Sequence, residues 1–242
     1  MKNLFTRTKI NYIAGVAIII ALMSVGTSPQ EQPTTEQRVA AIKQSMQVSQ
    51  KQIRQYQWVE TTMIYYKGEE KSSKQDQCSY GADGKVQKTP IGSSQESEKK
   101  EPRGIRGHII EKKEKELSEY MKEVETLIHA YVPPNPELIQ KCKDAGKVAV
   151  DIIEPNKRVL VNFSDYHLTG DMMGIELDIV NNIPLGYKVS SYIDEPKDSV
   201  NLNVSFATLE DKTVYAENIV LDATAKEVKV DVKNSDYKKL SQ

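Results

Sequence analysis

The chain has 242 residues, of which 28% are charged and 38% hydrophobic, and a formal net charge of −1 at pH 7. This length allows one large domain or two small ones. A chain so close to neutral lacks the basic face that nucleic-acid binding requires, so we expect no nucleic-acid partner. Twelve Tyr against three Phe favours sheet faces that are only half buried, because tyrosine packs its ring and hydrates its hydroxyl.

Residues 1–26 have the pattern of a secretory signal peptide. Three basic residues precede the apolar run Ile13–Val25, and Ser24-Val25-Gly26 is a small-x-small cleavage site. We expect cleavage after Gly26 and export to the periplasm. An uncleaved inner-membrane anchor is the alternative, although the run is short for a membrane span of about 20 residues. Removal of the signal leaves 30 basic against 34 acidic residues, a net charge of −4.

Residues 27–37 are polar and contain two prolines, which predicts a flexible leader. A helix follows, capped by Thr34 or Thr35, since a threonine hydroxyl satisfies the free N–H groups of a first turn. Its apolar residues recur at helical spacing: Val39, Ile42, Met46 and Ile53.

A β meander is predicted over residues 56–91. The run Tyr56–Tyr66 is aromatic and β-branched, which favours a strand. A polar strand at Ser72–Tyr80 follows, and Asp83-Gly84 is a strong hairpin signal that returns the chain into Lys85–Thr89. In the first strand, period-two alternation places Trp58 and Tyr66 on one face and Met63 and Tyr65 on the other.

This stretch resembles a family of exported bacterial proteins of unknown function. The resemblance is carried by Tyr56-x-Trp58, by the runs Tyr66–Glu69 and Tyr80–Lys85, and by Lys88–Ile91. The order of elements is more loosely similar to the periplasmic lipoprotein-carrier fold, a half-open β-barrel with helices as a lid. Neither resemblance brings a catalytic motif, and the second implies a lipid or lipoprotein ligand.

An inserted helical segment is predicted at residues 107–145. Apolar residues at helical spacing predict a long helix over Gly107–Tyr131, which Pro133-Pro134 ends. Asn135 then caps a short helix that Gly146 terminates, because glycine readily adopts the left-handed conformation beyond a helix.

From residue 147 to 240 the apolar residues alternate with polar ones between turn signals, which predicts a second antiparallel meander. We therefore expect an α+β fold in which both β regions join one curved antiparallel sheet, like a half-open barrel. The N-terminal helix and the inserted helical segment would accompany this sheet. No convincing boundary divides residues 38–242, so we expect a single domain.

Few residues are candidates for a disulfide, a metal site or catalysis. Cys78 and Cys142 could form a disulfide in an oxidising compartment, or remain two separate thiols. The three histidines show no metal-ligand spacing, so we expect no metal and no cofactor. His167 lies near Asp165 and Asp171, but these are ordinary loop residues. We therefore expect a protein that is not an enzyme.

Two functions remain. The first is an exported, carrier-like binding module that shelters a hydrophobic moiety, either an acyl chain or a lipoprotein, as the carrier resemblance implies. The second is an envelope structural or protein-interaction domain with a packed core and no ligand. The residues that we expect near a hydrophobic ligand are aromatic, methionine and leucine side chains: Trp58, Met63, Tyr65, Tyr66, Met121 and Leu127.

Overall fold

The computed structural model describes residues 35–92 and 105–240. The predicted signal peptide lies outside this range. These described residues form three α-helices, α1 (Thr35–Gln52), α2 (Ile105–His129) and α3 (Pro136–Asp144). The strands are β1 (Tyr56–Tyr66), β2 (Glu69–Tyr80), β3 (Val86–Pro90), β4 (Val148–Glu154), β5 (Arg158–Ser164), β6 (Met172–Asp178), β7 (Ile183–Tyr192), β8 (Ser199–Thr208), β9 (Val214–Ala223) and β10 (Val228–Lys239). None of the described helices is long and apolar enough to span a membrane.

All ten strands form one open sheet in the order β3-β2-β1-β10-β9-β8-β7-β6-β5-β4. Every neighbouring pair is antiparallel. The two β regions meet where β1 pairs with β10, with Ile64 opposite Val230 and Tyr66 opposite Val228. The prediction of an α+β fold with both regions in one antiparallel sheet is confirmed.

The helices pack on one face of this sheet, which we call the inner face. Ile42 and Met46 of α1 and Val124 and Ile128 of α2 belong to the same buried cluster as the sheet residues. The strand residues in that cluster alternate along each strand, as a sheet with one dry face requires. Those from the middle of the sheet are Val159, Val161, Phe163, Met173, Ile175, Leu177, Tyr187, Val189, Val200, Leu202 and Val204.

The α3 helix follows the sequence prediction closely. The Asn135 side chain accepts a hydrogen bond of 2.9 Å from the backbone N–H of Glu137, and Pro136 occupies the first turn. Gly146 has a φ of +67°, the left-handed conformation expected beyond the end of the helix. These local signals need no tertiary context, which is why the sequence alone located them.

The α2 helix ends two residues earlier than predicted, at His129 instead of Tyr131. Tyr131 lies in a tight turn, its N–H bonding to the carbonyl of Ile128. The following Val132 precedes a proline, and the ring of a proline disfavours helical backbone at the residue before it. The early end places the Tyr131 ring in the core, where it is fully buried.

Candidate functional site

Burial of the inner face differs between the two halves of the sheet. Across β5 to β8, inner-face side chains such as Phe163, Met173, Val189 and Leu202 are at most 2% exposed. The helices therefore seal this half as a conventional core, in which each buried side chain contributes through area removed from water.

The other half keeps apolar side chains that are only partly buried. We call the group Ile64, Tyr66, Ile219, Leu221 and Val232 the apolar strip. Ile64 lies opposite Val230, which in turn lies opposite Leu221. Ile219 lies between Val232 and Val204, so all of these residues share the inner face. Leu117 and Leu127 of α2 are also partly buried and pack against the same core.

A group of charged residues lies beside the apolar strip on the inner face of β1, β2 and β3. We call Glu60, Lys74, Asp76 and Lys88 the polar border. Lys88 forms an ion pair with Glu60, and Nζ of Lys74 lies 2.8 Å from Oδ2 of Asp76. Glu60 and Asp76 stand directly opposite each other on β1 and β2. Two like charges in that position are unfavourable unless cations neutralise them, which the two lysines do.

The strip and the border are continuous. Thr62 on β1 stands between Val232 of the strip and Lys74 of the border. Because neighbouring strands are about 4.8 Å apart, the backbones of Val232 and Lys74 are about 10 Å from each other. An apolar surface and a charged surface therefore adjoin on one face, within the span of a small amphiphilic molecule.

Asp76 has an unusual environment within this border. Only 3% of the residue is exposed, yet its Oδ1 atom is buried without a hydrogen-bond partner among the described residues. Leaving a buried charged oxygen without a donor is costly, and native structures contain few such atoms. Asp76 is therefore an acceptor suited to a donor that none of the described residues supplies.

Trp58 occupies a separate aromatic cluster near the start of β1. Its ring stacks on Tyr237 at 5.7 Å with an interplanar angle of 11° and contacts Tyr80 at 5.6 Å. Its indole N–H donates a 3.0 Å hydrogen bond to Oδ1 of Asn234. Trp58 is 6% exposed and is not part of the main core cluster, so these contacts join β1, β2 and β10.

The other five predicted ligand residues are distributed over three places. Tyr66 is part of the apolar strip, Leu127 is partly buried against the main core cluster, and Met121 is fully packed in the core at 3% exposure. Met63 and Tyr65 lie on the outer face, where Tyr65 donates to the Met63 sulfur at 3.4 Å. Of the six predicted residues, the structure therefore places Tyr66 in the apolar strip and leaves Met63 and Tyr65 on the far side of the sheet.

The residues around His167 form a buried structural network instead of a reactive site. Asp171 is 2% exposed and accepts hydrogen bonds from the Tyr131 hydroxyl and from the backbone N–H groups of Tyr166, His167 and Leu168. Burial and the bond to Asp171 raise the pKa of Tyr131. The carboxylate of Asp171 is fully used in holding the β5–β6 loop against the end of α2, and His167 itself is exposed.

Cys78 and Cys142 are both buried free thiols. Cys78 lies on the inner face of β2 opposite Trp58, and Cys142 on α3 is 3.8 Å from the carbonyl oxygen of Ser164. Burial, followed by the charge of Glu60, raises the pKa of Cys78 to about 12. A thiol with such a pKa is inert at neutral pH, because the thiolate is the reactive species.

We expect neither cysteine to react with a water-soluble thiol reagent in the native protein, and both to react after unfolding. A colorimetric thiol titration with and without denaturant, under non-reducing conditions, tests this. Two thiols in denaturant and none in buffer is the expected result. The absence of free thiols even in denaturant would show a disulfide and contradict the structure.

No family model and no curated protein matches the sequence. Among solved structures, the chain is similar to a DUF1329 family protein from Desulfovibrio piger, with a TM-score of 0.36 and 9% identity over 83% of this chain and 92% of that one. It is also similar to a LolA superfamily protein from Nitrosomonas europaea, with a TM-score of 0.33 and 10% identity over 82% and 93% of the two chains.

Sequence reasoning missed the polar border. Lys74, Asp76 and Lys88 lie in segments that read as polar, exposed strands, and no local pattern marks them as neighbours. One local signal exists: Glu60 lies two residues after Trp58, so period-two alternation places this carboxylate on the same face of β1 as the tryptophan ring. The partners of that carboxylate follow only from the pairing of β1, β2 and β3.

Proposed function

We propose that this protein is an exported, non-catalytic binding module that shelters a hydrophobic moiety, such as an acyl chain, on the inner face of its sheet. The observation that carries the proposal is the apolar strip. Its five large side chains remain partly accessible on a face whose other half is sealed by helices. Apolar surface left in contact with water is unfavourable, and a ligand that covers it gains about 25 cal/mol for each Å² removed from solvent.

The chemistry of the strip fits an aliphatic chain better than a planar or polar ligand. Four of its five members are Ile, Leu or Val, and they come from three neighbouring strands, β1, β10 and β9. Side chains on one face of adjacent strands stand about 5 Å apart, which gives a continuous surface along which a chain can lie. Export is inferred from the predicted signal peptide and is part of the proposal.

Two matched valine substitutions test the site. Val232→Thr places a hydroxyl in the apolar strip, whereas Val220→Thr makes the same change on the outer face of β9 at a residue that is also partly buried. We expect Val232→Thr to weaken binding of a fluorescent long-chain fatty acid about fivefold or more, because the hydroxyl has no partner under an aliphatic chain. Val220→Thr should leave binding unchanged.

Thermal melts of both variants control for a general loss of structure. Equal effects of the two substitutions on binding would contradict the assignment of the inner face. Native mass spectrometry of the protein purified from cells that export it adds an independent readout. A protein that carries no lipid and binds no acyl-chain probe would favour the alternative function, an envelope structural or interaction domain.

A further inference from the structure

The polar border adjoins the apolar strip, so a ligand lying on the strip brings one of its ends to charged groups. The border holds two ammonium groups, Lys74 and Lys88, and two carboxylates, Glu60 and Asp76. It is therefore neutral overall, with alternating charges. A purely anionic end group would meet both carboxylates, whereas a zwitterion can match each charge with its opposite.

We propose that the ligand is a zwitterionic amphiphile whose headgroup carries a phosphate and a primary ammonium, as in phosphoethanolamine, with the headgroup on the polar border. This inference rests on the proposed function, because the acyl chain is what places the headgroup at the border. The ammonium would bind Asp76, and the phosphate would bind Lys74, while Lys88 remains paired with Glu60.

The unpartnered Oδ1 atom of Asp76 is the reason to expect an N–H donor in the ligand headgroup. Its Oδ1 has no hydrogen-bond partner among the described residues, while its Oδ2 lies 2.8 Å from the Lys74 ammonium in an ion pair. A primary ammonium has three N–H donors and can serve both oxygens of the carboxylate. A trimethylated ammonium has none and leaves Oδ1 without a partner.

The two lysine side chains can move to let the ligand headgroup bind. The Lys74 side chain is 34% exposed and the Lys88 side chain 25%, on flexible stems that reposition readily. When the ligand ammonium takes the place of Lys74 on Asp76, the Lys74 ammonium becomes available to the phosphate. The exchange keeps every charge paired, and it also gives Oδ1 of Asp76 a donor.

The test compares four lipids with one acyl chain: lysophosphatidylethanolamine, lysophosphatidylcholine, lysophosphatidylglycerol and the free fatty acid. Each is titrated by displacement of a fluorescent fatty acid from the full-length mature protein. We expect the ethanolamine lipid to bind about tenfold more tightly than the choline lipid, the scale of one hydrogen bond to a charged group. The glycerol lipid and the fatty acid should also bind more weakly, because neither carries an ammonium.

Asp76→Asn should reduce the preference for ethanolamine over choline to within about twofold, while binding of the acyl chain persists. Asp231→Asn is the matched control, since Asp231 forms an ion pair with Lys229 on the outer face and should leave the preference unchanged. Equal affinity of wild-type protein for all four lipids would overturn the headgroup assignment and leave the proposed function standing. Failure of all four to bind would overturn both.

Discussion

Replacing Asp171 by alanine is expected to lower the free energy of unfolding by about 3–5 kcal/mol. The carboxylate is the common acceptor for four donors: the Tyr131 hydroxyl at 2.5 Å, and the backbone N–H groups of Tyr166, His167 and Leu168 at 2.5, 2.9 and 2.6 Å. Each buried donor left without an acceptor costs about 1–3 kcal/mol, and only the donors nearer the surface can turn to water.

Chemical denaturation followed by circular dichroism measures this loss. Asp165→Asn is the matched control in the same loop, because Asp165 pairs with Lys147 at the surface and its φ of +50° is one that asparagine tolerates. We expect its stability to stay close to that of the wild-type protein, because exposed ion pairs contribute little to stability. Tyr131→Phe removes one donor and keeps the ring, so it should cost about 1–2 kcal/mol. An Asp171→Ala variant as stable as Asp165→Asn would show that the network is not a major source of stability.

The second large effect is expected at Trp58. Its alanine variant loses the stacked contact with Tyr237 and the contact with Tyr80, and leaves a cavity among three strands. It also leaves Oδ1 of Asn234 without the indole donor. Truncation of a buried aromatic residue costs about 3–5 kcal/mol, so we expect a loss of stability of that size.

Trp58→Phe is the milder change, because it keeps an aromatic ring on Tyr237 while it removes the N–H donor and part of the buried ring system. Trp58→Phe should lower the stability less than the alanine variant and more than Tyr65→Phe. Tyr65 lies on the outer face, and its hydroxyl donates to the Met63 sulfur. Trp58 lies outside the apolar strip, so fatty-acid binding by the folded fraction of Trp58→Phe should be unchanged. Loss of binding with an unchanged melting temperature would instead place Trp58 at the ligand.

Tyr66 and Trp58 share one face of β1, yet they have different neighbours, and only the tertiary structure separates them. Period-two alternation predicts the shared face correctly, since Trp58 pairs with Cys78 and Tyr66 with Val228 on the inner side. A strand of 11 residues is nevertheless about 35 Å long, so its two ends lie over different parts of the sheet. The end with Trp58 belongs to the aromatic cluster, and the end with Tyr66 belongs to the apolar strip.

By itself, the sequence determined the features that depend on local physics. Strand β1 was predicted at its observed bounds, and the Asn135 cap, the Gly146 terminus and the Asp83-Gly84 hairpin were found because each is set by a few neighbouring residues. The alternation of apolar residues indicated an antiparallel sheet with one dry face. The α+β class follows from these signals taken together.

Only the tertiary structure decided which half of the inner face the helices seal and which charged residues meet. Three of the donors to Asp171 are backbone N–H groups of its own loop, but the fourth, the Tyr131 hydroxyl, is 40 residues away in the chain and reaches Asp171 because the end of α2 packs on the β5–β6 loop. Glu60 and Lys88 are 28 residues apart and meet through β2, whose exposed residues show no pattern of their own. Such contacts depend on strand order and register across the whole sheet, and no local propensity encodes them.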